Sequence, residues 1–394
     1  MDKVTELLSA LVNDEQIENF IPTSRMESYL KNCCLGLGSD GLPNPISRAD
    51  ALLYSLSEKI AGGGGGSASG GETWINDGNT HIWISLPEGK TSPMLGVCVD
   101  GTVTVDWGDG SEPYVLTGTS KNVQKYTPAH EYGKKGNYVI TLTVDGEMVI
   151  SGYNGITGGT HLLRYSSTGD CRNAMYANAI QKVEIGNGAT IGGYAFVFCY
   201  GLTDVLIRDG VTSIGNTAFQ YCRNLKSIVI PDSVVTIGNY AFSNCYKLAT
   251  VTLPNAVDTI GENAFEYCHT LTTIKMPDTV TSMGTAIFHS CYMLSDVTIP
   301  YGTTRLHSTF TKCHSLKHLI IPNSVTTIGP YSFSECYAIE RLDFSNYESV
   351  PTLESATPFN TSYPCYEILV PAALYDEWIA ATNWTKYASY IKAV

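Results

Sequence analysis

Charge is scarce in this chain. Asp, Glu, Lys and Arg make up 15% of 394 residues, with 37 acids against 24 bases. The net charge of −13 argues against nucleic acid and against an anionic membrane, since both partners carry the same sign. No stretch approaches the roughly 20 consecutive apolar residues that a membrane span needs. The opening MDKVTELLSALVNDEQIENF has no basic n-region, no long apolar run and no small-residue cleavage site. It predicts a chain without a secretory signal, made in a cytosol and soluble there. The familiar catalytic spacings are missing too. There is no G-x-S-x-G, no H-E-x-x-H, no phosphate loop, and no G-x-G-x-x-G opening a helix. No C-x-x-C pair offers the usual zinc spacing. No catalytic residue, metal or cofactor is therefore expected, and the reading is non-enzymatic.

What is abundant is cysteine in register. Cys199, Cys222, Cys245, Cys268, Cys291, Cys313 and Cys336 are 23 residues apart, except for one interval of 22. A fixed period of this size marks a solenoid. One unit reads L-x-x-I-x-I-P-x-x-V-x-x-I-G-x-x-A-F-x-x-C. Leu225, Ile228 and Ile230 show the inward residues of a short strand, and Pro231 closes it because proline cannot donate to a ladder. Val234, Ile237 and Gly238 follow as a second strand or turn, with glycine relieving a tight bend. Ala241, Phe242 and Cys245 then form a short helical or extended return. The cysteines are expected to be reduced core thiols, since stacked side chains point the same way into the core.

The rest divides by composition. Residues 1–61 carry two apolar stripes at helical spacing, Leu7, Leu8, Leu11, Val12 and Ala51, Leu52, Leu53, Leu56, Ile60. Residues 62–71 are a flexible glycine-rich linker. Residues 72–150 alternate as short strands broken by turns, as in GTVTVDW at 101–107 and NYVITLTVD at 137–145, and suggest a β-sandwich. Residues 151–364 hold the solenoid. In 365–394, Leu374, Trp378, Trp384, Tyr387 and Ile391 recur at helical spacing after a strand, as a cap for the open end of the stack.

Two resemblances follow from these residues. WGDGS at 107–111, His130-Glu131-Tyr132 and GNYVITLTV at 136–144 resemble a polycystic-kidney-disease (PKD) domain. That implies an immunoglobulin-like spacer or adhesion module. Asp106 and Asp109 have two readings there, calcium ligands or turn-capping carboxylates, and the second is favoured. The repeat at Ile230–Leu248, and again at Ile321–Ile339, resembles the BspA-like class of leucine-rich repeats. Such repeats occur in bacterial surface adhesins, in protozoan surface proteins and in phage or prophage genes. The expected fold is mainly β: a solenoid of about seven 23-residue repeats behind a PKD-like sandwich and a short helical segment, with a helical C-terminal cap.

Binding residues are sought on repeated surfaces. The residues after the ladder cysteines are Tyr200, Arg223, Tyr246, His269, Tyr292, His314 and Tyr337. Each presents a flat ring or a planar cation, and together they are read as a largely exposed column. The column is either a ridge for glycan or protein, or a set of rings that stack and shield the corner of the coil. Outward strand positions run Ser227 and Val229, Thr250 and Thr252, Thr273 and Lys275, Asp296 and Thr298, His318 and Ile320, Arg341 and Asp343. They vary while inward positions do not, as a binding face differs from a core; β-propensity alone also favours threonine there. Thr252, Lys275 and Thr298 are the candidates on this face.

The segment PISRADALLYSLSEKI resembles the attachment pieces of prophage-encoded fibre and decoration proteins. Joined to the repeats, it implies a virion protein that binds other virion components through residues 1–61 and a host cell-surface protein or glycan through the repeats. A homo-oligomer such as a trimer is compatible with that role. The alternatives are a bacterial cell-surface adhesin and an accessory chain of a carbohydrate-active enzyme. No nucleic acid and no membrane insertion are expected.

Overall fold

The computed structural model describes residues 74–75, 77–86, 92–150, 162–164, 179–186, 188–355, 357–359 and 367–394, all within one compact unit, Trp74–Val394. The helical segment expected over 1–61 and the linker at 62–71 lie outside the described residues.

Strands β1 (Thr80–Leu86), β2 (Met94–Asp106), β3 (Tyr114–Tyr126) and β4 (Gly136–Ile150) are antiparallel. The alternation read from sequence is real: Val97, Val99, Val103, Val105, Ile140 and Leu142 are buried. Gly118, Gly101 and Gly146 face one another across β3, β2 and β4. A Cβ on any of the three would meet a backbone oxygen of the neighbouring strand at 2.3 Å. Gly101 and Gly146 also have φ near +115° (117° and 114°), so only glycine fits this row.

β4 then passes its pairing to the solenoid. Its first half pairs β1, and the other edge of β1 pairs antiparallel with β6 (Ile180–Ile185). Its last residues pair in parallel with β7 (Ala189–Ile191). β5 (Leu163–Arg164) adds to the start of β2. β6 and β7 begin the two strand faces of the coil. The first face continues through Asp204–Ile207, and Ser227–Val229 then starts a separate ladder with Thr250–Thr252; the second continues through Ser213–Ile214, Thr236–Ile237 and Thr259–Ile260. The N-terminal sheet and the solenoid are therefore one hydrogen-bonded network, and the sheet covers the first coil. About nine turns follow.

Each coil has three walls. Proline closes the first strand as expected: the amide of Val234 donates to the carbonyl of Pro231 at 3.0 Å, and Val257, Val280, Thr303 and Val325 repeat the bond to their own prolines. The glycine after the second strand has a different role from the one expected. Gly238 has no left-handed backbone; a Cβ on it would meet the amide nitrogen of Asn216 at 2.6 Å, so glycine permits the close approach of the preceding coil.

The A-F-x-x-C return is neither helical nor extended. Each return has two left-handed non-glycine residues, such as Thr217 and Tyr221, then Tyr240 and Asn244. Alternate amides still bond along the axis: Thr217 to Asn239, Phe219 to Ala241 and Tyr221 to Ser243, at 2.8–2.9 Å. The return wall is thus hydrogen-bonded from coil to coil from Tyr194 to Thr357.

The single 22-residue interval lies at a break in both strand ladders. Between Leu306 and left-handed Ser308 stands only His307, where other coils have two residues, as in Gly238-Asn239. Both ladders are interrupted beside this coil. The first face stops at Asp296–Val297 and restarts at His318–Ile320; the second stops at Ser282–Met283 and restarts at Arg305–Leu306.

The C-terminal cap is more broken than the helical spacing predicts. One α-helical turn and a half, Tyr375–Ala380, is followed by left-handed Asn383, a 3-10 stretch Trp384–Tyr390 and a strand Ile391–Ala393. That strand pairs with Glu367–Val370 and extends the first face. Trp378, Trp384 and Tyr387 are buried over the last coil, and the indole of Trp384 donates to Pro351 at 2.8 Å.

Candidate binding surfaces

The core ladders define which surfaces remain. Phe196, Phe219, Phe242, Phe265, Phe288, Phe310, Phe333 and Phe359 stack at 5.1–6.0 Å. Each ladder thiol from Cys222 on donates to the phenylalanine carbonyl one coil back, as Cys245 does to Phe219 at 3.1 Å and Cys268 to Phe242 at 3.3 Å. Each of these carbonyls also accepts from the backbone amide of the cysteine on its own return, as Phe242 does from Cys245 at 3.3 Å, so the S–H supplies a second bond that ties one coil to the next and that alanine would lack. Burial pushes the thiols up, Cys199 and Cys336 to about 12, so they stay protonated donors at neutral pH. All eight described cysteines are free thiols.

The column forms, in the expected order. Tyr246, His269, Tyr292, His314 and Tyr337 stack face to face at 4.6–5.0 Å. The Arg223 guanidinium lies 4.8 Å from the Tyr200 ring and 5.3 Å from the Tyr246 ring. Its exposure, however, corrects the expectation. His269, Tyr292 and His314 are buried, and Tyr200, Arg223, Tyr246 and Tyr337 are half-buried. The rings sandwich one another, so the centre of the column cannot offer a ring face to a ligand.

The outward strand positions are exposed, except for the half-buried Asp343. Ser227, Thr250, Thr273 and Asp296 form one in-register row; beside it Val229 pairs with Thr252, and Lys275 and Thr298 hold the equivalent positions of the next two coils. Val229 and Ile320 expose 62% and 66% of their surface. Thr252, Lys275 and Thr298 are thus neighbours on an open face, while toward the C-terminal end Arg341 pairs with Glu367 at 3.9 Å.

The WGDGS region is a closed structural lock. Trp107 stacks on His130 at 4.5 Å, and the Tyr132 hydroxyl donates to the Trp107 carbonyl at 2.9 Å. Asp106 accepts from the Gly108 amide; Asp109 accepts from Ser111 and bonds His130 at 2.8 Å. Burial acts to raise the Asp109 pKa, but the bonds from Ser111 and His130 outweigh it and hold the carboxyl at about 2. The carboxylates cap their own turns. Among the described residues, no group of three or more His, Cys, Asp or Glu is placed to hold a metal ion.

Two buried polar groups at the start of the solenoid escaped the sequence reading. Glu184 on β6 is buried; it accepts from Arg208 Nε at 2.9 Å and from the Ile75 amide at 3.0 Å. His81, its direct partner on β1, links Thr141 Oγ1 at 3.1 Å to Asp77 at 2.8 Å. A hydroxyl, an imidazole and a carboxylate in series is the order of nucleophilic catalysis. Here His81 is only 1% exposed and lies between two paired strands. The series pins the segment before β1 across the sheet, helped by the Lys182 ammonium 3.9 Å from the Trp74 ring. The one signal available was a glutamate in the first, proline-less repeat.

Comparison with known proteins matches this geometry in part. Residues 189–309 and 306–372 match the BspA type leucine-rich repeat region, in six copies. Among solved structures, a leucine-rich repeat protein from Bacteroides ovatus is 28% identical over 49% of this chain and 54% of its own, with a TM-score of 0.43. The chain thus spans about half the length of that protein. A leucine-rich repeat protein of T. pallidum is 24% identical over 55% of this chain and 93% of its own, with a TM-score of 0.37. A leucine rich cell surface protein from Faecalibacterium prausnitzii is 23% identical over 50% and 81%, with a TM-score of 0.22. No curated protein matches. Over residues 189–372 the solenoid of this chain is thus similar to the BspA type leucine-rich repeat region.

Proposed function

We propose that this is a non-enzymatic binding protein, a phage or prophage fibre or decoration protein whose repeat face meets a host-surface protein or glycan. The observation that supports it is the first strand face. Its inward residues keep one pattern from coil to coil, while its outward residues change from Ser227 and Val229 to Thr252, Lys275, Asp296, Thr298 and Ile320 and stay exposed. A rigid row of short strands holds these side chains without further ordering on binding, which lowers the entropic penalty of recognition. The centre of the aromatic column is withdrawn from this role by its burial.

The test is a triple substitution, Thr252→Ala, Lys275→Ala and Thr298→Ala, in the full chain. Labelled protein is applied to a microarray of bacterial polysaccharides and to intact bacterial cells. The triple variant should keep the circular dichroism of the parent and lose its binding at least tenfold. Unchanged binding by a folded variant removes this face from the proposal. Immunogold labelling of particles released on prophage induction tests the virion assignment; label confined to the bacterial envelope favours the adhesin reading.

A further inference from the structure

The two strand ladders break together at one place, the short coil. On the second face the amides climb from coil to coil. Asp258 donates to Val235 and Thr281 to Asp258, both at 3.0 Å; Gly261 donates to Ile237 and Gly284 to Ile260 at 2.8–2.9 Å. The series resumes with Thr326 on Thr304 at 3.0 Å and Gly329 on Leu306 at 2.7 Å. Among the described residues, no backbone bond joins Thr304 to Thr281 or His307 to Met283; the His307 amide turns to Thr309 Oγ1 at 3.1 Å in its own return. The first face has the same gap between Ser295, which donates to Thr272 at 2.9 Å, and Lys317, which accepts from Glu340 at 2.9 Å. The corner loses a tie as well. The Ser233 and Thr279 hydroxyls donate to Val211 and Val257 at 2.8 Å, whereas Gly302 has no hydroxyl to offer Val280. The first-face break between Ile207 and Ser227 is different, because the second face runs on beside it through Ile191, Ile214 and Ile237.

We propose that the short coil is a joint, at which the coils from Arg305 onward open from the rest of the solenoid as one block.

The chain crosses the gap once, at the corner 300–304, and the backbone bonds that still span it lie on the return wall. Ala286 donates to His307 at 2.9 Å, Phe288 to Thr309 at 3.0 Å and Ser290 to Thr311 at 2.8 Å; the Cys313 thiol reaches the Phe288 carbonyl at 3.3 Å. Thr303 stands where the repeat has valine, and its Oγ1 meets Met283 Sδ, a weak acceptor, at 3.8 Å. Arg305 with Glu354 at 2.6 Å and Lys312 with Glu335 at 3.7 Å tie the later coils to one another. In a stack where each coil touches only its neighbours, opening of a block starts at the weakest interface. Each missing backbone bond raises the opening constant of an interface by roughly two- to tenfold. Thr252, Lys275 and Thr298 all stand before the joint, so that exposed row stays whole when the later coils open.

Matched amides test this. Gly261 and Phe265 before the joint, and Gly329 and Phe333 after it, hold equivalent places and make equivalent bonds at 2.7–3.0 Å, so local geometry alone gives them equal protection. Native-state hydrogen exchange of the full-length protein is followed by mass spectrometry in rising, sub-denaturing urea. Peptides covering 327–344 should share one level of protection, at least about tenfold below that of peptides covering 236–268, with the step at the short coil. Giving this coil the two residues of the others, by His307→Gly with one asparagine inserted after it, should shrink the step at least about threefold. If that chain does not fold, Phe310→Leu replaces it. Trimming the ring that stacks on Phe288 at 5.9 Å should lower protection equally through 327–344 and leave 236–268 unchanged. Protection that declines evenly toward the C-terminus overturns the proposal, and so does a step at another coil. A step undiminished in the folded insertion variant, or a loss on both sides of the joint in Phe310→Leu, overturns it too.

Discussion

In the solenoid, the thiol of Cys268 meets the Phe242 carbonyl 26 residues back. In the N-terminal sheet, the amide of Ile75 meets Glu184 109 residues ahead. The first kind of contact repeats in every coil, and each coil touches only its neighbours, so stability accumulates by addition. The second kind is made once. It joins β1 to β6 at the place where both strand faces begin, so a fault there withdraws the template from everything that follows. The two caps differ in the same sense. The N-terminal sheet donates strands to both faces, whereas the C-terminal segment adds one strand to the first face and covers the remaining core with Trp378, Trp384 and Tyr387.

The contrast can be broken from either side. The largest effect is expected at Phe265, fully buried and stacked on Phe242 at 5.4 Å and Phe288 at 6.0 Å. Phe265→Ala should lower stability by roughly 3–5 kcal/mol in denaturant titration. Its damage should stay in the adjoining coils by hydrogen exchange; loss of protection spread evenly over the chain would count against nearest-neighbour stability. Next comes Glu184→Gln. Removing one partner of a fully buried ion pair takes away about 3–5 kcal/mol, and the 27% exposure of the Arg208 side chain reduces this to about 2 kcal/mol. Here the first coils should loosen together with β1; a loss confined to β1 would show that the sheet does not template the solenoid.

A smaller effect is expected at the thiols. Cys268→Ala removes a donor from the Phe242 carbonyl and leaves a small void, for about 1–2 kcal/mol. In the parent protein the ladder thiols should resist alkylation at neutral pH until denaturant is added. The smallest is Asp77→Asn. The bond from His81, outweighing burial, holds the Asp77 carboxyl at about 2 instead of 3.8. A lowered carboxyl pKa gives stability that is complete above the unfolded value and disappears as pH falls through about 2. Asp77 is 42% exposed, so solvent screening limits the difference at pH 7 to below about 1 kcal/mol. A parent–variant gap that persists at pH 2 would refute the ion-pair account.

The legible parts of this molecule are those that recur. Cys245 and its equivalents announced the period, and Leu248, Val251 and Phe242 announced which side chains turn inward, because each coil repeats the same burial. The stacking order of Tyr246, His269 and Tyr292 was legible for the same reason. Their exposure was not: whether a ring at the corner faces water depends on how closely coils approach. The setting of the 22-residue interval was hidden as well: the coil that lacks a residue before Ser308, and carries Thr303, Leu306 and Thr309 where the repeat has Val, Ile and Ala, stands beside interruptions in both ladders.

The one-dimensional order of the chain therefore determined the coil, its inward face, its proline corners and the ladders of Phe and Cys. These depend on residues one period apart and on local backbone preference. Only the tertiary structure decided that β4 serves both faces of the solenoid, that Glu184 is buried against Arg208 and Ile75, and that the column closes over His269. Those contacts join segments that no period relates, and their free energy exists only once the coils have stacked.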